Sequence, residues 1–93
     1  MKINDYKSTL NDKTVLITGA GGGIGLEAAK CFATMGAKVI ILEVDEEKGK
    51  KSEKIINSMH DNSAEFYKID LADEDSILKM KEFVLNKYGC PDI

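Results

Sequence analysis

Only two cysteines and one histidine occur among 93 residues, so the chain has little with which to ligate a metal or staple a small fold. Cys31 and Cys90 stand 59 residues apart, without the paired spacing of a zinc or redox motif, and both are expected to be reduced. No apolar run approaches the length of a membrane span. The opening Met1-Lys2-Ile3-Asn4-Asp5-Tyr6-Lys7-Ser8-Thr9-Leu10 lacks the apolar core of a signal peptide, and a cytoplasmic location is the expectation. Positive charge is not in excess either. Thirteen basic against 16 acidic side chains give a net charge of −3, so neither nucleic acid nor an anionic membrane is expected as a partner. There is no internal repeat and no low-complexity tract. A chain this short fits one small domain and buries only about 60 to 65% of its unfolded surface, which leaves a thin margin of stability.

Glycine, by contrast, is concentrated. Val15-Leu16-Ile17-Thr18-Gly19-Ala20-Gly21-Gly22-Gly23-Ile24-Gly25 is an apolar run that breaks into five glycines within seven residues and then turns into a helical pattern. A strand that ends in such a turn and opens a helix lets backbone N–H groups approach an anion with no Cβ in the way. The helix N-terminus adds roughly half a positive charge at the same point. The stretch points to phosphate.

Around it the chain divides simply. Residues 1–12 read as a polar lead-in and 13–93 as the folded part. Thr14–Ile17 is a buried strand; Ile24, Ala28, Cys31, Phe32 and Met35 then form an apolar stripe at helical spacing, which places Cys31 in the core, and Gly36 ends that helix. Lys38–Glu43 is a second buried strand. The helix that starts at Val44-Asp45-Glu46-Glu47 carries its apolar face on Ile55, Ile56 and Met59, with Lys48, Lys50, Lys51 and Lys54 as its solvated face and His60 as a surface group at its end. Asp61-Asn62-Ser63 breaks it. Ala64–Asp70 is a third strand, nearer an edge; Asp73 caps a third helix with the stripe Ile77, Met80, Val84 and Tyr88, closed by Gly89. Cys90-Pro91-Asp92-Ile93 reads as the entry to a fourth strand. The order β-α-β-α-β-α implies a parallel sheet with right-handed crossovers, half of a doubly wound Rossmann-type α/β fold with the fourth strand truncated.

The second strand ends in an acid. Glu43 follows Gly25 by 18 residues, close to the roughly 20 that bring a carboxylate over a ribose in dinucleotide-binding folds. The alternative is a strand-end carboxylate that meets solvent. In the cofactor reading Glu43 repels a 2′-phosphate, and neither Ala20, Gly21 and Gly22 nor Val44 supplies a compensating cation, so NAD is expected in preference to NADP.

Thr18-Gly19-Ala20-Gly21-Gly22-Gly23-Ile24-Gly25, with Asp70-Leu71 and Tyr88-Gly89-Cys90-Pro91-Asp92-Ile93, resembles the fingerprint and next landmarks of the short-chain dehydrogenase/reductase family over about residues 10–93. The resemblance implies that Gly19, Gly23 and Gly25 are the fingerprint glycines and that the main chain of Ile24 approaches the pyrophosphate. It implies that Glu43 stands where NAD-preferring members carry an acid, and Val44 where many NADP-preferring members carry arginine. Asp70 would reach the exocyclic amine of adenine and the Leu71 main chain the ring edge; the alternative from the residues alone is that Asp70 ends the third strand and helps turn the chain, with no ligand. Gly19, Gly22 and Gly25 also match the spacing of the extended branch of sugar-nucleotide epimerases and dehydratases, although Asp70-Leu71 and Tyr88–Ile93 fit the compact branch better.

Departures from the family are equally specific. Its members need a serine and a Tyr-x-x-x-Lys pair for proton transfer. Four residues after Tyr6, Tyr67 and Tyr88 stand Leu10, Leu71 and Asp92, so no catalytic residue is assigned. The expectation is therefore the cofactor-binding part of an oxidoreductase that moves hydride between a nicotinamide and an alcohol or carbonyl carbon, the parent being a homo-oligomer. Alternatives are a non-catalytic nucleotide-binding module, a truncated gene product or an extended-branch fragment. In the strand order 3-2-1-4 only the third helix covers the second face of the sheet, so the isolated chain is expected to be marginally stable or self-associating.

Overall fold

Strand alternates with helix three times in the computed structural model, which describes residues 9–20 and 22–93. The elements are β1 (Thr14–Thr18), α1 (Gly23–Thr34), β2 (Lys38–Glu43), α2 (Glu46–Met59), β3 (Ala64–Lys68) and α3 (Glu74–Tyr88). Most of the expected lead-in, residues 1–8, and Gly21 of the glycine turn lie outside the described residues. The third strand stops at Lys68 rather than at Asp70: Ile69 still donates to the Glu43 carbonyl at 3.1 Å, after which Asp70 turns the chain.

β2 is the middle strand, parallel to both neighbours, with Leu16 opposite Ile40 and Ile41 opposite Phe66. On the far side of β1, Leu16 N donates to the Ile93 carbonyl and Asp92 N to the Thr14 carbonyl, both at 2.9 Å. The spatial order is thus β3-β2-β1 followed by the C-terminal residues, the order expected from the sequence.

Alternation along the strands sends side chains to two cores. Ile17, Val39, Ile41, Ala64 and Phe66 face α1 and α2; Leu16, Ile40, Leu42 and Tyr67 face α3. Both middle-strand sets are fully or nearly fully buried, because β2 is covered above and below. α3 alone covers its face. Leu78 and Leu85 remain 53% and 43% exposed, and Leu16, Met80, Val84, Leu85 and Pro91 line an apolar groove of about 280 Å³ beside β1. The expected stripe of α3 is confirmed, with Val84 buried and Ile77, Met80 and Tyr88 packed on the sheet.

α1 is rotated from the expected orientation. Ala29 and Ala33 are buried, with Leu26 and Phe32 beside them, while Ile24 and Cys31 point outward; Cys31 is an exposed thiol, not a core residue. The small side chains face the sheet because the helix lies close against the turn that precedes it: a Cβ on Gly25 would stand 2.5 Å from the Gly19 carbonyl oxygen. α2 approaches by the same device, since a Cβ on Gly49 would meet the Phe66 ring at 2.1 Å. Ile56 anchors α2, but Met59 is half exposed and contributes less than its spacing suggested. His60 is half-buried, its Nε2 3.0 Å from Thr34 Oγ1, and so ties the ends of α1 and α2 together.

α2 also serves the free edge of β3. Ala64 and Phe66 carry backbone groups that face away from β2, and the Asn57 amide both donates to the Ala64 carbonyl (3.0 Å) and accepts from its N–H (2.8 Å). Glu53 accepts from Phe66 N–H at 2.6 Å.

Candidate functional site

Three turns meet at the C-terminal ends of the strands, the end of an open parallel sheet at which ligands bind. The first is the glycine turn. Gly19 and Gly23 take the left-handed conformation, at φ +67° and +59°, which a residue with a Cβ adopts only with strain. Gly19 N–H donates to the Leu42 carbonyl at 3.1 Å and pins the turn to the end of β2.

The three helix starts differ in a telling way. Asp45 caps α2 by accepting from Lys48 N–H at 3.1 Å, and Asp73 caps α3 by accepting from Asp75 N–H at 3.0 Å; both helices add two acids in the first turn. α1 starts at Gly22 with no side-chain cap and no acid in its first turn. Its first amides are therefore left for an outside acceptor. Among the described residues, nothing beyond the adjoining backbone lies within 4 Å of where a Cβ on Gly19, Gly22 or Gly23 would stand, so the turn is bare on that side. Such a cradle fits a diphosphate.

Glu43 ends β2, half-buried, and its Oε1 accepts from Asp45 N–H at 3.2 Å, which holds the carboxylate over the strand end. Asp70 is placed by three contacts: its N–H donates to Ser76 Oγ (3.0 Å), its carbonyl accepts from Asp73 N–H (3.0 Å), and its Oδ1 accepts from Ala72 N–H (2.9 Å). Asp70 does turn the chain, and it does so with one carboxylate oxygen.

These parts enclose two adjoining depressions. Gly19, Leu42, Glu43, Val44, Ile69, Asp70, Leu71 and Ala72 line a cleft of about 310 Å³, with buried Leu42 and Ile69 as its floor and Val44 and the 57% exposed Leu71 at its mouth. An apolar floor between two carboxylates suits a flat heteroaromatic ring with a ribose beside it. Gly19, Gly22, Gly23, Glu43 and Lys48 line the second depression, about 420 Å³, toward α1. Of the residues expected from sequence, Gly19, Gly22, Gly23, Glu43, Val44, Asp70 and Leu71 are brought together. Ile24 is 90% exposed and lines neither depression, and Gly25 serves to pack α1 against Gly19. Leu42, Ile69 and Lys48 were missed. The first two are the residues next to the strand-end acids, a signal present in the sequence; Lys48 reads there as part of a solvated face.

Among the described residues no group of three His, Cys, Asp or Glu converges as metal ligands, and no tyrosine or lysine enters either depression except Lys48. The perturbed titrations lie at the other end of β3. Burial pushes the Glu65 carboxyl up, but hydrogen bonds from Lys87 and Tyr88 and the charges of Lys87 and Lys38 outweigh it and hold the group below its ordinary 4.5. Tyr88 is driven upward by burial and by the hydrogen bond to, and charge of, Glu65. That pair ties α3 to β3.

Comparison with known proteins agrees with this geometry. The family described as short chain dehydrogenase matches residues 13–93. Short-chain dehydrogenase reductase 5 of Arabidopsis thaliana is 38% identical over 84 residues, which cover 90% of this chain and 31% of that protein. An uncharacterized oxidoreductase of Thermotoga maritima is 38% identical over 84 residues, covering 90% and 32%. Among solved structures, a metagenomic short-chain oxidoreductase in complex with NADP superposes with a TM-score of 0.87 at 31% identity, covering 92% of this chain and 38% of that one. The chain spans about a third of the length of the curated relatives it matches.

Proposed function

The chain belongs to the short-chain dehydrogenase family, and from that premise we propose that it forms the part of an oxidoreductase that grips the adenosine and diphosphate of a nicotinamide dinucleotide. The observation that carries the reading is the convergence of an uncapped α1 N-terminus, Glu43 and Asp70 on two adjoining depressions. Amides of Gly22 and Gly23 would hold the diphosphate, Glu43 the ribose hydroxyls, and the second oxygen of Asp70, whose partner is used up only on Oδ1, the adenine amine. The Leu42 and Ile69 floor excludes water from one face of the base. The cofactor supplies the chemistry at its nicotinamide end: hydride transfer with an alcohol or carbonyl carbon. The cytoplasm, where the dinucleotide pool resides, is the proposed location, and the parent a homo-oligomer.

NAD is the proposed cofactor, although the metagenomic neighbour was solved with NADP. Glu43 lines both depressions at the ribose end, and one like-charge contact with a 2′-phosphate costs about 1–4 kcal/mol at a protein surface. NAD should therefore bind at least about fivefold more tightly than NADP. Equilibrium titration of both cofactors tests this, and Glu43→Gln should narrow the difference. Tighter binding of NADP by the unaltered protein would overturn the assignment of Glu43.

A further inference from the structure

Asp70 stands one residue beyond the last ladder bond of the sheet, the donation from Ile69 N–H to the Glu43 carbonyl, so no neighbouring strand holds its backbone. We propose that Ser76, which lines neither depression, is a positioning residue: its hydroxyl anchors Asp70 to the body of α3 and aims the free carboxylate oxygen, so that the site selects a 6-aminopurine over a 6-oxopurine. The proposal rests on the dinucleotide reading above.

Asp70, Asp73 and Ser76 close a ring at the start of α3. Asp70 N–H donates to Ser76 Oγ at 3.0 Å, and Asp73 N–H donates to the Asp70 carbonyl at 3.0 Å. The two bonds hold the peptide planes on either side of the Asp70 Cα, and with them the direction of its Cα–Cβ bond. Ala72 N–H takes Oδ1 at 2.9 Å, which sets the rotation of the carboxylate. With N–H, carbonyl and Oδ1 engaged, Oδ2 is the oxygen to which no group among the described residues donates.

The three partners are not equivalent. Ala72 and Asp73 are exposed turn residues two and three positions from Asp70, so their bonds travel with the turn. Ser76 lies in the first turn of α3, half-buried and next to Ile77, which packs on Ile40, Leu42 and Ile69. Leu42 and Ile69 are also the floor of the ring cleft. Of the three, the Ser76 bond is therefore the one that fixes Asp70 relative to that floor. A 6-amino group donates to a carboxylate oxygen, whereas a 6-oxo group turns a lone pair toward it and is repelled. Discrimination between them depends on where Oδ2 points, while overall affinity draws on the whole surface of the site.

The test is equilibrium titration of NAD and of its hypoxanthine analogue, which carries an oxo group in place of the 6-amino group, into the protein and its Ser76→Ala, Ser76→Thr, Ser76→Cys and Asp70→Ala variants. The unaltered protein should favour NAD by about tenfold or more, as expected of one hydrogen bond to a charged acceptor. Ser76→Ala should cut that preference to about threefold or less, and Ser76→Thr, which keeps the hydroxyl, should restore it. Ser76→Cys, close in size but a weak acceptor, should match Ser76→Ala and carries the test if the alanine variant does not fold. Equal loss of both dinucleotides with the ratio unchanged, or no change in either, would overturn the proposal, because a merely structural role does not separate them. An unaltered protein that binds neither dinucleotide would overturn the dinucleotide reading itself. One that binds both with a preference that Asp70→Ala leaves intact would overturn the assignment of Asp70 to the amine, and the role of Ser76 with it.

Discussion

Replacement of Gly25 by alanine sets two effects of opposite sign against each other. Gly25 lies in the first turn of α1, where alanine is the better helix former by about 1 kcal/mol. Yet the added methyl would stand 2.5 Å from the Gly19 oxygen and 3.2 Å from Ala20 Cα, where ordinary contact begins at 3.4 Å. These are backbone atoms, and they cannot swing aside. For Gly19 to retreat, its N–H must draw away from the Leu42 carbonyl, 3.1 Å distant, a bond that contributes about 1 kcal/mol. Overpacking of this kind costs about 1–3 kcal/mol. With the lost bond included and the propensity gain deducted, Gly25→Ala should be less stable by about 1–3 kcal/mol, and its melting point lower by roughly 5–20 °C for a folding unit of this size. Urea unfolding followed by circular dichroism measures the first, and titration with NAD the second consequence, weaker binding through a displaced cradle. A variant as stable as the original or more so, with NAD affinity intact, would show that propensity governs this position and that the close approach of α1 to the turn is not what the glycine is for.

Two further perturbations reach the ends of the sheet. Asn57→Ala removes both bonds to Ala64 and should cost about 1–3 kcal/mol in urea unfolding, with increased light scattering as the edge of β3 is bared; unchanged scattering would mean that Glu53 protects the edge alone. Tyr88→Phe removes the hydroxyl that donates to Glu65. Because the Glu65 pKa is depressed in the folded state, its stabilisation is present above 4.5 and drains away as pH falls through the folded value. The variant should be less stable by about 0.5–1.5 kcal/mol at neutral pH and show a flatter loss as the solution is acidified through the carboxylate range; parallel profiles would refute the coupling.

Much of the architecture is legible in the sequence where one local signal has no rival. Asp45 and Asp73 precede polar helices and cap them, Gly36 and Gly89 end helices in the left-handed region, and Glu43 closes a continuous buried run. In α3 the stripe Ile77, Met80, Val84 and Tyr88 meets the sheet, while Leu78 and Leu85 outside it stay exposed. α1 differs, because Gly23-Ile24-Gly25-Leu26-Glu27-Ala28-Ala29-Lys30-Cys31-Phe32-Ala33-Thr34 carries apolar or small residues almost all round. Two stripes satisfy the helical period, and the choice falls on Ala29 and Ala33 through close packing against the preceding turn, a tertiary effect. Ser76 and Asn57 are hidden for a related reason. Their roles depend on what stands opposite once strand and helix are folded together, and polar residues on a polar helix carry no mark of it.

The bonds from Asn57 and Glu53 to β3 have a geometric consequence for association. A strand pairs through two sides, and a sheet with both sides available can add copies without limit. Here the Ala64 N–H and carbonyl and the Phe66 N–H on the outer flank of β3 are already taken by side chains of the same chain, so a strand arriving there finds those groups engaged.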